Sequence, residues 1–262
     1  MKRSMKKNKA KILGIICARG GSKSIPLKNI KKFCGKPLIA WSILTAKRSK
    51  YIDRLIVSTD SPEIAKVAKE YGAEVPFLRP AELAVDWIGI EPVLKHAYEW
   101  LRDNEKYKAD IIVHMLPTTP ARQTFHIDEA VKLFMKTKPD SVIGVNETPA
   151  NHTPYWTLVK NKNAKVTLWG GVPLENILVR RQLFPQKCYA RNDLIYVIKP
   201  ENLFKRKPDV LGKKELNYGK KVELYVVPET SRYEMDINTP EDWKDAEFRF
   251  RHFGLYKINN ES

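Results

Sequence analysis

Arg19, Lys23 and Lys28 stand along one short stretch, Ala18-Arg19-Gly20-Gly21-Ser22-Lys23-Ser24-Ile25-Pro26-Leu27-Lys28-Asn29, directly after the apolar run Ile12 to Cys17. Positive charges beside paired glycines suit phosphate. Glycine removes side-chain bulk, so backbone N–H groups can turn toward an anion. Arginine forks two phosphate oxygens, whereas lysine acts as a mobile point charge. The dinucleotide spacing G-x-G-x-x-G is not met, and neither is the P-loop spacing G-x-x-x-x-G-K-[ST]. A second group, Asp236 and Asn238, lies near the other end of the chain. Two apart on an extended segment, these side chains point the same way.

The elements that must position these residues alternate. Strands are expected at Ile12–Ala18, Arg54–Ser58, Glu74–Phe77, Asp110–Leu116, Ser141–Asn146, Leu194–Ile198 and Val222–Val227. Helical periodicity with polar outer faces marks Pro37–Arg48, Pro62–Tyr71, Glu91–Asp103 and Ile127–Lys136. Thr239-Pro240-Glu241-Asp242 is a helix start, with a capping hydroxyl, proline in the first turn and early acids. Such alternation predicts an α/β fold, a mostly parallel sheet covered on both faces. Ligands of these folds bind beyond the carboxyl ends of the strands. Residues from about 148 to 190 break the rhythm with Thr148-Pro149, Thr153-Pro154-Tyr155-Trp156, Gly170-Gly171-Val172-Pro173 and Arg180-Arg181. A loop of that length inside a domain is usually functional.

The twelve-residue string fits each fixed position of A-R-x-x-S-K-x-x-P-x-K-N, and companions follow in order. These are Ser58-Thr59-Asp60, Leu78-Arg79-Pro80-Ala81-Glu82-Leu83-Ala84, Pro117-Thr118-Thr119-Pro120-Ala121-Arg122, and Met235-Asp236-Ile237-Asn238-Thr239-Pro240-Glu241-Asp242-Trp243. From about residue 12 to 245 the chain resembles the acylneuraminate cytidylyltransferases, which activate sialic-acid-like sugars. The resemblance implies a three-layer sandwich of the nucleotide-diphospho-sugar transferase type with an inserted dimerisation arm, and hence a homodimer. It implies a tail over residues 1–11 and a single domain over 12–262, with the insertion at about 148–190. It also implies CTP and a carboxylated sugar acid as substrates.

Carried over by resemblance, Arg19 and Lys23 hold the triphosphate with Gly20, Gly21 and Ser22. Lys28 stabilises the reacting phosphate, and Asn29 and Arg79 contact the nucleotide. Asp236 and Asn238 match the segment where the family usually presents two aspartates to Mg2+. Magnesium takes hard oxygen ligands and commonly uses only one or two carboxylates plus phosphates and water, so metal dependence is expected to persist with one charge fewer. Asp60 is read as structural support. On the sugar side Arg181, Gln186, Arg191, Asn192 and Tyr196 keep the landmarks, and either arginine could pair with a sugar carboxylate bidentately. Departures gather there: Leu116 replaces a common glutamine, Trp156 a lysine, and Ala190-Arg191 the order Arg-Pro. Ile88-Gly89-Ile90 lacks the small hydroxyl usual near the base. Trp156 and the Lys187-Cys188-Tyr189 variant look more like legionaminate-type branches. A second reading keeps the fold with a different acceptor or nucleotide; a third is a non-catalytic nucleotide- or RNA-binding protein.

Composition narrows these choices. The net charge is +17, part of it on Lys2, Arg3, Lys6, Lys7, Lys9 and Lys11, with no acid among residues 1–11. Aromatic residues do not interleave with the basic ones as a stacking platform requires, so specific nucleic-acid binding is not expected. Cys17, Cys34 and Cys188 show neither metal-ligand spacing nor an even framework, which suits a reducing cytoplasm. Ile12 to Ala18 is a core strand rather than a signal peptide. No apolar run approaches the roughly 20 residues needed to span a bilayer. His96, His114, His126 and His252 show no triad or metal spacing and are read as structural.

Overall fold

β1 (Ile12–Cys17) is buried at every position, and its side chains separate by parity. Ile12 and Ile16 enter one apolar cluster, while Leu13, Ile15 and Cys17 enter another on the opposite face of the sheet. This is the two-residue period of a strand covered on both sides. The computed structural model describes residues 9–163, 165–205 and 216–258. Residues 1–8, most of the expected basic tail, lie outside the described residues.

After the first loop come β2 (Lys32–Phe33) and β3 (Lys36–Pro37), a minimal hairpin, and then α1 (Leu38–Lys47). The helix α1 is buried on most sides, and the Trp41 indole N–H donates to the Phe33 carbonyl at 2.9 Å. β4 (Arg54–Ser58) and α2 (Pro62–Glu70) follow; the Ser61 hydroxyl caps α2 by accepting the Ile64 N–H at 3.2 Å. Next are α3 (Ile90–Glu105), β5 (Ile111–Met115), α4 (Thr124–Thr137) and β6 (Ser141–Glu147). Then come β7 (Leu158–Lys160), β8 (Val166–Leu168), β9 (Tyr189–Ile198) and β10 (Val222–Val226). The chain closes with α5 (Thr230–Tyr233), α6 (Pro240–His252) and α7 (Leu255–Ile258).

The main sheet has six strands in the order β10-β6-β9-β5-β1-β4. All its pairings are parallel except those of β9, which runs antiparallel between β5 and β6. Helices α1, α2, α4 and α6 pack on one face and α3 on the other, giving the three layers expected. Among the described residues no helix is long and apolar enough to cross a membrane.

Two expectations are corrected. Glu74–Phe77 is not a strand: only Glu74 bridges Ile56, because Pro76 has no N–H to continue a ladder. The segment from 148 is not wholly irregular, since β7 and β8 form a hairpin within it and β9 begins at Tyr189 rather than Leu194.

Gly144 explains how β9 fits. A side chain there would place its Cβ 2.7 Å from Asn192 Oδ1 and 3.1 Å from the Ile195 carbonyl. The register of β6 and β9 shifts between Ile143 and Val145, so the missing Cβ admits the local irregularity that carries Asn192.

Candidate active site

The carboxyl ends of β1, β4 and β5 deliver three loops to one edge of the sheet. A cleft of about 540 Å3 opens there, lined by Arg19, Ser22, Lys23, Lys28, Asn29 and Arg79. Asp236 and Asn238 line its other wall. Residues far apart in sequence thus share one cavity, of ordinary size for a small-molecule site.

The loop after β1 is tied from inside. Gly20 donates its N–H to Asp60 Oδ1 at 2.9 Å, and Ser22 donates to the Gly20 carbonyl at 2.9 Å. The Gly20 amide is therefore committed to the protein, a correction to the expectation that it turns toward an anion. A side chain there would be crowded, with its Cβ 3.1 Å from Ser61 Cβ. Gly21 has open space beside it. Asn29, nearly buried, joins the two ends of the loop by donating from Nδ2 to the Arg19 carbonyl at 2.9 Å. Asp60 supports the loop as read from the sequence.

Leu27, just before Lys28, adopts the left-handed backbone at φ 53°, a sparsely populated conformation for a branched residue. Lys28 then reaches across the cleft, donating from Nζ to the Ile237 carbonyl at 2.8 Å. Burial pushes its pKa below the ordinary lysine value, with Asp236 opposing that shift and Arg19 adding to it. Ser24 Oγ donates to the Asn238 carbonyl at 2.5 Å, a second tie between the loop and the far wall. Asn238 Nδ2 donates to Asp236 Oδ2 at 2.6 Å, so the two side chains do face each other.

Arg79 is buried, and its guanidinium donates to the Ser58 carbonyl and, at 3.1 Å, to Ser58 Oγ. It is anchored to the end of β4 while lining the cleft. Cys17 also lines it, but burial raises its thiol to about 11, which leaves it protonated.

The donor set suits a hard divalent cation only in part. Asp236 offers a carboxylate and Asn238 an amide, beside the cations that would hold phosphates. Among the described residues no group of three or more His, Cys, Asp or Glu is placed to hold a metal ion. A cation at Asp236 would take its remaining ligands from phosphate and water, which Mg2+ accepts.

The sugar-side residues divide. Arg191 and Asn192 line a smaller pocket of about 210 Å3 that shares Asp193 and Asp236 with the cleft. Tyr196 lies behind that pocket, buried between the stacked rings of His114 and Tyr218, with its hydroxyl donating to Asp193 Oδ1 at 2.5 Å. Arg181 and Gln186 line a separate cavity of about 630 Å3 between Glu147–Thr153 and Phe184–Cys188. They are not brought to the cleft within one chain.

Two contributors were missed by sequence reasoning. Asp86 pairs with both Arg19, at 2.6 Å, and Lys23, so a carboxylate occupies the cradle's two outer cations. Its position two residues after the Leu78–Ala84 motif was the available signal. Arg122 ends the Pro117–Arg122 motif and is wholly buried. It donates to the Leu116 carbonyl at 2.9 Å, to Ser42 Oγ at 2.9 Å, to the Leu194 carbonyl and to Thr119 Oγ1.

A cytidylyltransferase family model matches residues 13–225, which span the loop, Arg79, Arg122 and the β9 segment. The chain belongs to the cytidylyltransferase family. Curated relatives cover it nearly end to end. It is 37% identical over 241 residues to the CMP-N,N'-diacetyllegionaminic acid synthase of Campylobacter jejuni, covering 91% of this chain and 94% of that one. It is 35% identical to the post-translational flagellin modification protein B of Campylobacter coli, covering 94% and 97%. A solved CMP:2-keto-3-deoxy-manno-octonic acid synthetase is only 16% identical but covers 93% of this chain and 99% of its own, with a TM-score of 0.66. That likeness speaks for the fold, and the fold is that of a nucleotidyltransferase.

Proposed function

We propose that this cytidylyltransferase transfers CMP from CTP to the anomeric hydroxyl of a sialic-acid-like nine-carbon keto-acid, releasing pyrophosphate. The observation that carries the reading is the junction of two cavities. A cationic cleft containing Arg19, Lys23 and Lys28 meets, at Asp193 and Asp236, a smaller pocket containing Arg191. Full-length relatedness to a CMP-N,N'-diacetyllegionaminic acid synthase supports this class of acceptor.

In this reading the triphosphate displaces Asp86 from Arg19 and Lys23. Lys28, set deeper, neutralises charge on the α-phosphate as the acceptor oxygen bonds to it and the bond to pyrophosphate breaks. Such displacements depend on positioning and charge neutralisation rather than covalent help from the protein. Asp236 with Asn238 would hold Mg2+, which when bound would offset phosphate charge. A cytoplasmic location is in keeping with the free thiols of Cys17, Cys34 and Cys188.

The test is pyrophosphate release from CTP with a panel that includes N-acetylneuraminic, pseudaminic and N,N'-diacetyllegionaminic acids. Release with at least one acid, abolished by EDTA and restored by Mg2+, is the expected result. Silence across the panel beside an active control enzyme would remove the acceptor class. Ile88, Gly89 and Ile90 line the cleft without a hydroxyl, which favours a second reading with another base. Larger thermal stabilisation by a purine triphosphate than by CTP would decide for that reading.

A homodimer is part of the same proposal. The segment from β7 to the start of β9 exposes Leu158, Trp169, Val179 and Leu183, with Val179 77% accessible. Exposed apolar side chains along one segment support an interaction surface there. Sedimentation equilibrium is expected to give twice the chain mass, and a monomer at micromolar concentration would refute it.

A further inference from the structure

Asp193 belongs to neither half of the site as described so far, yet it lines both cavities. Three observations define its situation. Tyr196 donates to its Oδ1 at 2.5 Å, and the Tyr196 ring is clamped between His114 and Tyr218, so the carboxylate is held in one orientation. Thr119 Oγ1 lies 3.4 Å from the Asp193 carbonyl, and Ile237 donates its N–H to the Thr118 carbonyl at 3.0 Å. Consecutive residues of one loop therefore set Asp193 beside the Asp236 segment. The carboxylate is only partly buried, and its Oδ2 takes no hydrogen bond among the described residues.

The charges of the small pocket constrain what enters it. Its acidic side chains are Asp193, Glu234 and Asp236, and its cation is Arg191. An acid substrate sets its own carboxylate toward Arg191, because the pocket's other charged side chains repel it. Arg191 and Asp193 line this one pocket from the irregular stretch of β9 between Arg191 and Tyr196, and Asp193 alone of the two also lines the nucleotide cleft. The end of the acceptor that faces the nucleotide cleft then meets Asp193. An ionised carboxylate accepts hydrogen bonds and donates none, so its partner is a hydroxyl or N–H group.

We propose that Asp193 is an acceptor-reading residue: it accepts a hydrogen bond from a hydroxyl at the reacting end of the sugar acid, held in place by Tyr196. This rests on the acceptor reading above and adds to it the residue that orients the sugar against the nucleotide. Tyr196 is then a positioning residue that acts through Asp193.

The experiment uses full-length enzyme and the acid of the panel with the highest turnover. Asp193→Asn is expected to lower kcat/KM for the acid about tenfold or more, the range for a hydrogen bond to a charged group, while KM for CTP stays within twofold. Tyr196→Phe should raise the KM for the acid about threefold with the same KM for CTP. It serves as the test if Asp193→Asn does not fold. Unchanged acid kinetics in the folded variants would overturn the proposal. A rise in the KM for CTP or in the Mg2+ activation constant, without an effect on the acid, would also overturn it. If the wild-type enzyme turns over no acid of the panel, the acceptor reading fails and this proposal fails with it. If the wild type is active and the variants match it, only this proposal falls.

Discussion

Lys28→Ala is expected to lower turnover by roughly 10²–10³-fold, the usual consequence of removing one pre-placed charge stabiliser from a reacting centre. The side chain already points where it would be needed: its ammonium sits 2.8 Å from the Ile237 carbonyl, next to the Asp236 segment. Because burial holds its pKa below the ordinary lysine value, its charge is lost at a lower pH than that of a surface lysine. The protonated form is the active one, so kcat/KM should fall on the alkaline side. Bound phosphate favours the ammonium, so the kcat limb, which reports the complex, should lie at higher pH than the kcat/KM limb. Lys28→Arg should keep part of the rate and move the alkaline limb out of range. Steady-state rates across pH check both points. Turnover of Lys28→Ala within threefold of wild type would refute the assigned role.

Arg122→Leu is expected to destabilise the fold by about 3–5 kcal/mol, although Arg122 contacts no substrate in this account. Its guanidinium is wholly enclosed, and burial lowers its pKa to about 9, with Asp193 opposing the shift. It joins α1 through Ser42, the loop after β5 through Leu116 and Thr119, and β9 through Leu194. Leucine removes all four hydrogen bonds; the Leu116 carbonyl keeps the Ser42 and Thr119 hydroxyls, while a buried acceptor left without any donor costs roughly 1–3 kcal/mol. Denaturant unfolding reads the loss directly. A midpoint shift equivalent to less than about 1 kcal/mol would mean that water replaces the guanidinium. Because the same side chain steadies the loop that positions Asp193, any folded fraction should also show weaker kinetics toward the acceptor.

Much of the site was legible because it is local. Arg19, Lys23, Lys28 and Asn29 lie on one loop after a strand whose apolar run declares it buried, and strand ends gather at one edge. What sequence reading could not supply depends on packing between distant segments. The guanidinium that ends the Pro117–Arg122 motif has no role in the sequence until the carbonyls of Leu116 and Leu194 are seen around it. Tyr196 reads as a substrate contact until Asp193 is found on its hydroxyl. Asp86 reads as a stray charge until the cleft folds it onto Arg19. Glu74–Phe77 failed for a different reason, because Pro76 removes the donor its apolar character would otherwise use. Arg181 and Gln186 carry family landmarks but line their own cavity, between the end of β6 and the start of β9.

The antiparallel course of β9 has a consequence for engineering. The chain leaves the sheet at the end of β6 and returns on the neighbouring strand, with the Thr148 N–H bonded to the Cys188 carbonyl at 2.9 Å. The excursion therefore starts and finishes at nearly the same point. A replacement of different length changes the closure entropy by only about 0.6 kcal/mol per doubling. Beyond it, β9 from Tyr196 to Ile198 is hydrogen-bonded on both sides, to β5 and β6, and holds its register independently. Residues 149–187 thus form an excursion whose exchange for a relative's segment is expected to leave the pairing of β6 and β9 intact, with circular dichroism and thermal unfolding as the check.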